Sequence, residues 1–162
     1  MLFRSDTKLL VVGKSWFGEE NVKDEYTCKV QKEAEKVRNK IIFTGFVNPD
    51  KMPLMYQIAD CLVVPSIWEE PFGVVALEGM ASGLPLIVTN SGGLPEIVND
   101  KCAVIVNKEK DIVNNLTDEM NKMMINEAKA KKMGECARET VQSNLEYDSR
   151  NYFGLFLKKT IG

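Results

Sequence analysis

Two acidic residues eight positions apart, Glu70 and Glu78, stand in the densest group of chemistry-bearing residues, Ser66-Ile-Trp-Glu-Glu-Pro-Phe-Gly-Val-Val-Ala-Leu-Glu78. Glu78 is surrounded in sequence by Ala76, Leu77, Gly79, Met80 and Ala81, all small or apolar, so its helix reads as buried. A carboxylate inside such a helix needs a partner. Glu70 precedes the helix, which is expected to start near Phe72 after Pro71 and Gly73 punctuate the loop. The first N–H groups of a helix have no partner within it, so the backbone near Gly73 and Val74 offers an anion site. With a rise of ~1.5 Å per helical residue, the backbones of the two acidic residues are separated by roughly 10 Å. That is the length of a diphosphate with a sugar at one end and a ribose at the other. A carboxylate accepts two hydrogen bonds from a vicinal diol, so the pair suits a nucleotide sugar. The plainer alternative has Glu70 favouring the helix dipole and Glu78 on a solvated surface.

A second loop, Thr89-Asn-Ser-Gly-Gly-Leu-Pro-Glu96, carries Gly92-Gly93, which admits positive φ and close backbone approach, and Pro95, which suits a first helical turn. It reads equally as a ligand loop or as a tight turn with a helix start. Gly13-Lys14-Ser15 and Gly45-Phe46-Val47 end two further apolar runs. As phosphate or base contacts, each gains weight only because four such loops share one edge.

The elements that must hold these loops are five short runs rich in β-branched residues. They are Lys8–Gly13, Ile41–Gly45, Cys61–Ser66, Pro85–Asn90 and Cys102–Val106. Near-continuous apolar runs of this kind mark strands buried on both faces of a parallel sheet. Between them lie helical patterns at Val22–Asn39 (apolar steps Tyr26, Val30, Ala34, Val37), Lys51–Ala59 (Met52, Met55, Tyr56, Ala59) and Phe72–Ser82. Strand–helix alternation predicts a doubly wound, Rossmann-like α/β domain of about five strands, with ligands at the carboxyl edge. Beyond Val106 the chain turns helical. Stripes at Ile112, Leu116, Met120, Met123, Met124 and at Met133, Ala137, Val141 read as core packing, and Asp148–Ile161 presents Tyr152, Phe153, Phe156 and Leu157.

Composition narrows the chemistry. The 162 residues, 44% hydrophobic and 27% charged with a net charge of −2, describe a globular chain read as one domain, 1–162. A near-neutral charge gives no footprint for nucleic acid. No run of ~20 apolar residues marks a membrane span, and Met1–Asp6 lacks the apolar core of a secretory signal. The chain has no histidine, which excludes Ser/His/Asp and Cys/His relays and His-ligated zinc. Four scattered cysteines without a CxxC read as buried or free thiols in a reducing, cytoplasmic setting. The Lys- and Asn-rich character fits a bacterial source.

The stretch EEPFGVVALEGMASGLPLIVTNSGGLPEIV resembles the donor-binding half of retaining glycosyltransferases of the GT-B fold, family four. The likeness runs from about Lys8 to Val106. Glu70 and Glu78 match that family's E-x7-E pair, with PFG and GG-x-PE at the expected offsets. The resemblance implies transfer of a sugar from a nucleotide diphosphate sugar to an acceptor with retention at the anomeric carbon. It implies that Glu78 holds the ribose hydroxyls and that Glu70, as the catalytic carboxylate, contacts the donor sugar. It also places the backbone of Phe72, Gly73 and Val74 at sugar and diphosphate and Phe46-Val47 beside the base; Ser66, Gly13, Gly92 and Gly93 are expected to line the donor site from their positions in the loops at the sheet edge. Neither a metal nor another cofactor is implied.

Such enzymes pair two Rossmann-like domains, and the acceptor domain, N-terminal in the family, has no counterpart here. The family's opening strand, followed by an Arg and a Lys for the diphosphate, is not matched by Arg4 or Lys8. Met1–Arg4 reads as the stub of a preceding helix, and Asp148–Ile161 resembles the segment that crosses back to the other domain. Peripheral membrane association is expected only through that other half. The expectation is therefore a nucleotide-sugar-binding domain that is catalytically silent by itself. A nucleotide-sugar epimerase, a glycogen-synthase-like GT-B enzyme and a non-catalytic Rossmann-like binding module remain as alternatives.

Overall fold

The computed structural model describes residues 7–13, 25–37 and 40–143. Met1–Arg4, Lys14-Ser15 and the Asp148–Ile161 segment lie outside these residues. The chain falls into two compact units, Met1–Met52 and Pro53–Gly162.

In the first unit, strand β1 (Leu9–Val12) pairs in parallel with β2 (Ile41–Gly45), and helix α1 (Glu25–Glu35) lies between them in sequence. The described part of α1 ends at Glu35, short of Val37. Tyr26, expected on its inner face, sits in the first turn and is exposed, whereas Val30 and Ala34 are half-buried. In β2, Ile42 and Phe43 are exposed rather than buried on both faces. The strand pairs on one side alone among the described residues, which leaves it less covered than its composition suggests.

Asn48 caps the 3-10 turn Pro49–Lys51 by accepting from the Asp50 N–H, and α2 (Met52–Gln57) follows. An Asn side chain at this position satisfies one of the N–H groups that a helical turn leaves open.

The second unit is built on a parallel sheet in the order β3 (Leu62–Val64), β4 (Leu86–Thr89), β5 (Ala103–Val106). The central strand β4 pairs on both sides, touches α3 (Val74–Ala81) and α5 (Ile112–Ile125), and is buried along its length. The edge strands are less covered, and Ile105 of β5 is exposed. Both units thus carry parallel strands with helices in the crossovers, the Rossmann-like class read from the sequence.

The methionine stripes are core. Met123 of α5 and Met133 of α6 (Glu127–Ser143) pack with Ile87 and Val106, and Leu116 and Met120 lie against that cluster. Ala137 and Val141 continue the buried face of α6. Arg138 on the same helix donates from Nη2 to the Ser82 carbonyl at 2.8 Å, which satisfies one of the open carbonyls at the end of α3. All four cysteines are free thiols, with Cys102 fully buried.

Because β3, β4 and β5 run parallel, the segments that follow them emerge at one edge. These are Pro65–Gly73, Asn90–Gly93 and Asn107–Asp111, and the candidate chemistry lies there.

Candidate functional site

Helix α3 begins at Val74, two residues later than expected, because Gly73 adopts φ +82° as the N-cap and Phe72 therefore stays in the loop. A left-handed residue at this point favours glycine. Its missing Cβ also matters, since one built there would lie 2.6 Å from Cδ2 of Leu94. No side chain caps this helix end, and the first backbone bonds to Gly73 come from Ala76 and Leu77. The N–H groups of Val74 and Val75, which precede those bonds, therefore have no partner within the helix. Around them, Phe72, Val74 and Val75 expose apolar side chains.

Glu78 sits one turn further in and is 6% exposed, in a helix whose other residues from Ala76 to Ala81 are buried. Its carboxylate has the partner that burial demands. The Tyr56 hydroxyl of α2 donates to Oε2 at 2.7 Å, and Tyr56 is itself buried. Tyr56 was legible only as a core residue on the inner face of α2.

Glu70 lies half-buried in the loop after β3. Its Oε2 accepts from Ser66 Oγ at 3.3 Å, which brings together two of the residues singled out in the sequence. The Glu70 carbonyl accepts from the Gly93 N–H at 2.7 Å. Gly92 takes φ +52°, and a Cβ there would collide with the Glu70 backbone, while one on Gly93 would come within 2.9 Å of the Pro71 carbonyl. Gly93 itself has φ −75°, so only the first glycine of the pair needs the left-handed region. The close backbone approach these glycines permit is used by the neighbouring loop, which fixes the height of Glu70 against Gly92-Gly93. Pro95 sits in the first turn of the short helix α4 (Leu94–Ile97), as its spacing predicted.

Three residues that the sequence reading passed over bind these loops together. Ser91, fully buried, donates from Oγ to the Trp68 carbonyl. Lys108, just past β5, donates from Nζ to Ser91 Oγ at 3.2 Å and to Glu69 Oε1 at 2.5 Å. The other Glu69 oxygen accepts from the Gly92 N–H at 2.8 Å. The Lys108 hydrogen bond, then that of Gly92, and then the charge of the ammonium hold the Glu69 carboxyl below its ordinary range. The first lysine beyond the apolar run CAVIV was the available signal.

Gly13, Phe46 and Val47 lie in the first unit. Gly13 donates to the Gly45 carbonyl at 3.1 Å with φ +127°, so these two strand ends meet, and Phe46 projects with 73% of its surface exposed. Val47 is half-buried. In the second unit, an open depression lined by Asn107, Asn115, Asp118, Glu119 and Lys122 lies between β5 and α5, and it contains none of the predicted site residues.

A family model described as glycosyl transferases group 1 matches residues 3–140. The chain is 32% identical over 161 residues to the lipopolysaccharide 1,2-N-acetylglucosaminetransferase of Salmonella typhimurium, covering 93% of this chain and 42% of that protein. Sucrose-phosphate synthase from Thermosynechococcus elongatus superposes with a TM-score of 0.74 at 30% identity, over 86% of this chain and 35% of that one. Anabaena HepE, solved in complex with UDP-glucose, shares the fold with a TM-score of 0.75 at 20% identity, over 98% of this chain and 40% of that one. The chain therefore spans about two-fifths of the length of these relatives.

Proposed function

The chain belongs to the glycosyl transferases group 1 family, and from that premise we propose that it is the nucleotide-sugar-binding domain of a retaining glycosyltransferase. The observation that carries this reading is Glu78. A carboxylate 6% exposed in an otherwise apolar helix and held by Tyr56 is costly to bury, and it lies one turn from the uncapped helix start at the sheet edge where ligands enter such folds. Glu78 is read as the acceptor for the ribose hydroxyls and Glu70, braced by Ser66 and Gly93, as the contact to the donor sugar. The first-turn N–H groups at Gly73 and Val74 would take the diphosphate as it departs, which is where charge develops. In that reaction the anomeric carbon exchanges its bond to the diphosphate oxygen for one to an acceptor hydroxyl, with its configuration kept.

In this reading the reaction needs no bound metal, and it needs an acceptor-binding domain that the 162 residues do not include. The HepE complex with UDP-glucose supports a nucleoside diphosphate sugar as the donor class. Phe46 and Val47 are assigned to the base and Gly13, Gly92 and Gly93 to the donor's surroundings. Among the described residues no helix is long and apolar enough to cross a membrane. The free thiols and the Lys- and Asn-rich composition support a cytoplasmic, bacterial setting.

A non-catalytic binding module is the second reading, favoured by the Tyr56–Glu78 bond, which gives the buried carboxylate a purely internal partner. Calorimetric titration with UDP, GDP and ADP and their glucose and mannose conjugates separates the two. Binding of one series that is abolished by Glu78→Gln supports the donor domain. Absence of binding, or binding indifferent to Glu78→Gln, supports the module.

A further inference from the structure

The geometry points to Lys108 as a positioning residue for Glu70, acting through Glu69 and Ser91 to hold the loop after β3 at the height the donor sugar requires. This rests on the nucleotide-sugar reading of the site. The side chain of Lys108 is 16% exposed, and an ammonium taken that far out of water must be matched by acceptors. It has two, and they lie on different loops: Glu69 Oε1 after β3 and Ser91 Oγ after β4. The backbone N–H of Lys108 adds a third tie, donating to Asn90 Oδ1 at 2.8 Å.

Each acceptor passes the constraint on. Ser91 Oγ, receiving from Lys108, donates to the Trp68 carbonyl, so the hydroxyl is used in both directions. Glu69, receiving from Lys108 on one oxygen, receives the Gly92 N–H on the other. Trp68 and Glu69 are thus both fixed immediately before Glu70, and the Gly93 N–H fixes the Glu70 carbonyl itself. Of the three residues Trp68–Glu70, every one has an atom tied to the loop after β4, and the ammonium stands behind two of those ties. The Glu69 side chain is 77% exposed, so this ion pair has little to do with filling a core. Its geometric consequence is the position of the next carboxylate along the chain. Displacements of about 1 Å at a reacting group cost on the order of 100-fold in rate.

The test compares wild type with Lys108→Met, Lys108→Arg, Glu69→Gln and the Lys108→Met/Glu69→Gln double variant. Each is titrated with UDP, GDP and ADP and with the glucose and mannose conjugate of each. The readout is the ratio of Kd for the diphosphate to Kd for its sugar conjugate, which isolates the part of binding owed to the sugar. Lys108→Met is expected to lower that ratio at least fivefold while the bare diphosphate binds within twofold of wild type. Glu69→Gln is expected to lower it in the same direction, and the double variant no further than Lys108→Met alone. Lys108→Arg, which keeps the charge and two donors, is expected to stay within twofold of wild type. Equal weakening of both ligands, or a ratio unmoved by Lys108→Met, overturns the inference. If Lys108→Met does not fold, Glu69→Gln, whose exposed side chain keeps its shape, carries the same test, and an unmoved ratio there overturns it. Wild-type protein that binds none of the six conjugates overturns the donor-site reading instead, and this inference falls with it.

Discussion

The most discriminating perturbation is the pair Tyr56→Phe and Glu78→Gln, because each removes a different half of one buried interaction. Tyr56 and Glu78 are 5% and 6% exposed and meet at 2.7 Å. Tyr56→Phe keeps the ring and deletes the hydroxyl donor, so a buried carboxylate loses a hydrogen bond that water cannot replace. Hydrogen bonds to charged groups contribute about 1.5–3 kcal/mol, and the loss here should fall in that range. For a chain of this size, each kcal/mol lowers Tm by roughly 2–4 °C, so a drop of about 3–12 °C is expected. Glu78→Gln keeps an oxygen that can accept from Tyr56 and removes the charge, so it should cost less stability than Tyr56→Phe. Its effect on nucleotide binding should be larger, because an amide accepts a vicinal diol less well than a carboxylate does. Urea and thermal melts read the first quantity and calorimetry the second. Two results would refute the reasoning: Tyr56→Phe as stable as wild type within about 0.5 kcal/mol, a size typical of surface changes, or Glu78→Gln costing more stability than Tyr56→Phe while nucleotide affinity is untouched. The second would make Glu78 a structural residue.

Gly92→Ala should destabilise by about 2–4 kcal/mol in denaturant melts, combining the cost of a left-handed residue with displacement of the Glu70 backbone; a change under 1 kcal/mol would mean the two loops separate easily. The Glu69 carboxyl, held low first by its hydrogen bond from Lys108, should titrate in NMR below the ordinary glutamate range, and Lys108→Met should raise it. With a depressed folded pKa, its stabilisation is present above the unfolded value of about 4.3 and is lost as pH falls through the folded value, so the stability gap to Lys108→Met should narrow over that window. Burial, with a smaller push from the charge of Asp60, raises the Cys61 thiol to about 12, so it should not react with a thiolate-directed reagent at pH 8 until the protein is denatured. Rapid modification of Cys61 in native protein would contradict that placement.

What could be read from sequence divides along a physical line. The strands, the buried Glu78 helix and the methionine stripes announce themselves because hydrophobic periodicity reports burial residue by residue, and burial decides those elements. The short β4 run Leu86–Thr89 was legible for this reason, and its complete burial follows from pairing on both sides. The same rule over-reads strands with one partner: Ile42, Phe43 and Ile105 have the composition of a covered strand and are exposed. Helix starts depend on one residue's backbone conformation, and Gly73 at φ +82° moved α3 by two positions although the apolar residues from Ala76 to Ala81 are buried as expected.

The bracing of the site was hidden for a different reason. Glu69, Ser91 and Lys108 lie 17 to 39 residues apart, and nothing in their spacing links them. They meet because β3, β4 and β5 are parallel and in register, with Val88 opposite both Val64 and Ile105, so three chain segments leave the sheet at one level. Polar contacts between loops are therefore a consequence of strand register, which becomes known only after the sheet is assembled. It follows that the carboxylates that would meet a ligand directly could be picked from sequence, while the groups that hold them could not. A shift of β5 by one residue would carry Lys108 out of reach of both acceptors and leave the E-x7-E pattern intact. For this fold, matching the motif identifies the candidate ligand contacts, and the loop-to-loop bonds decide whether they stand where a ligand can use them.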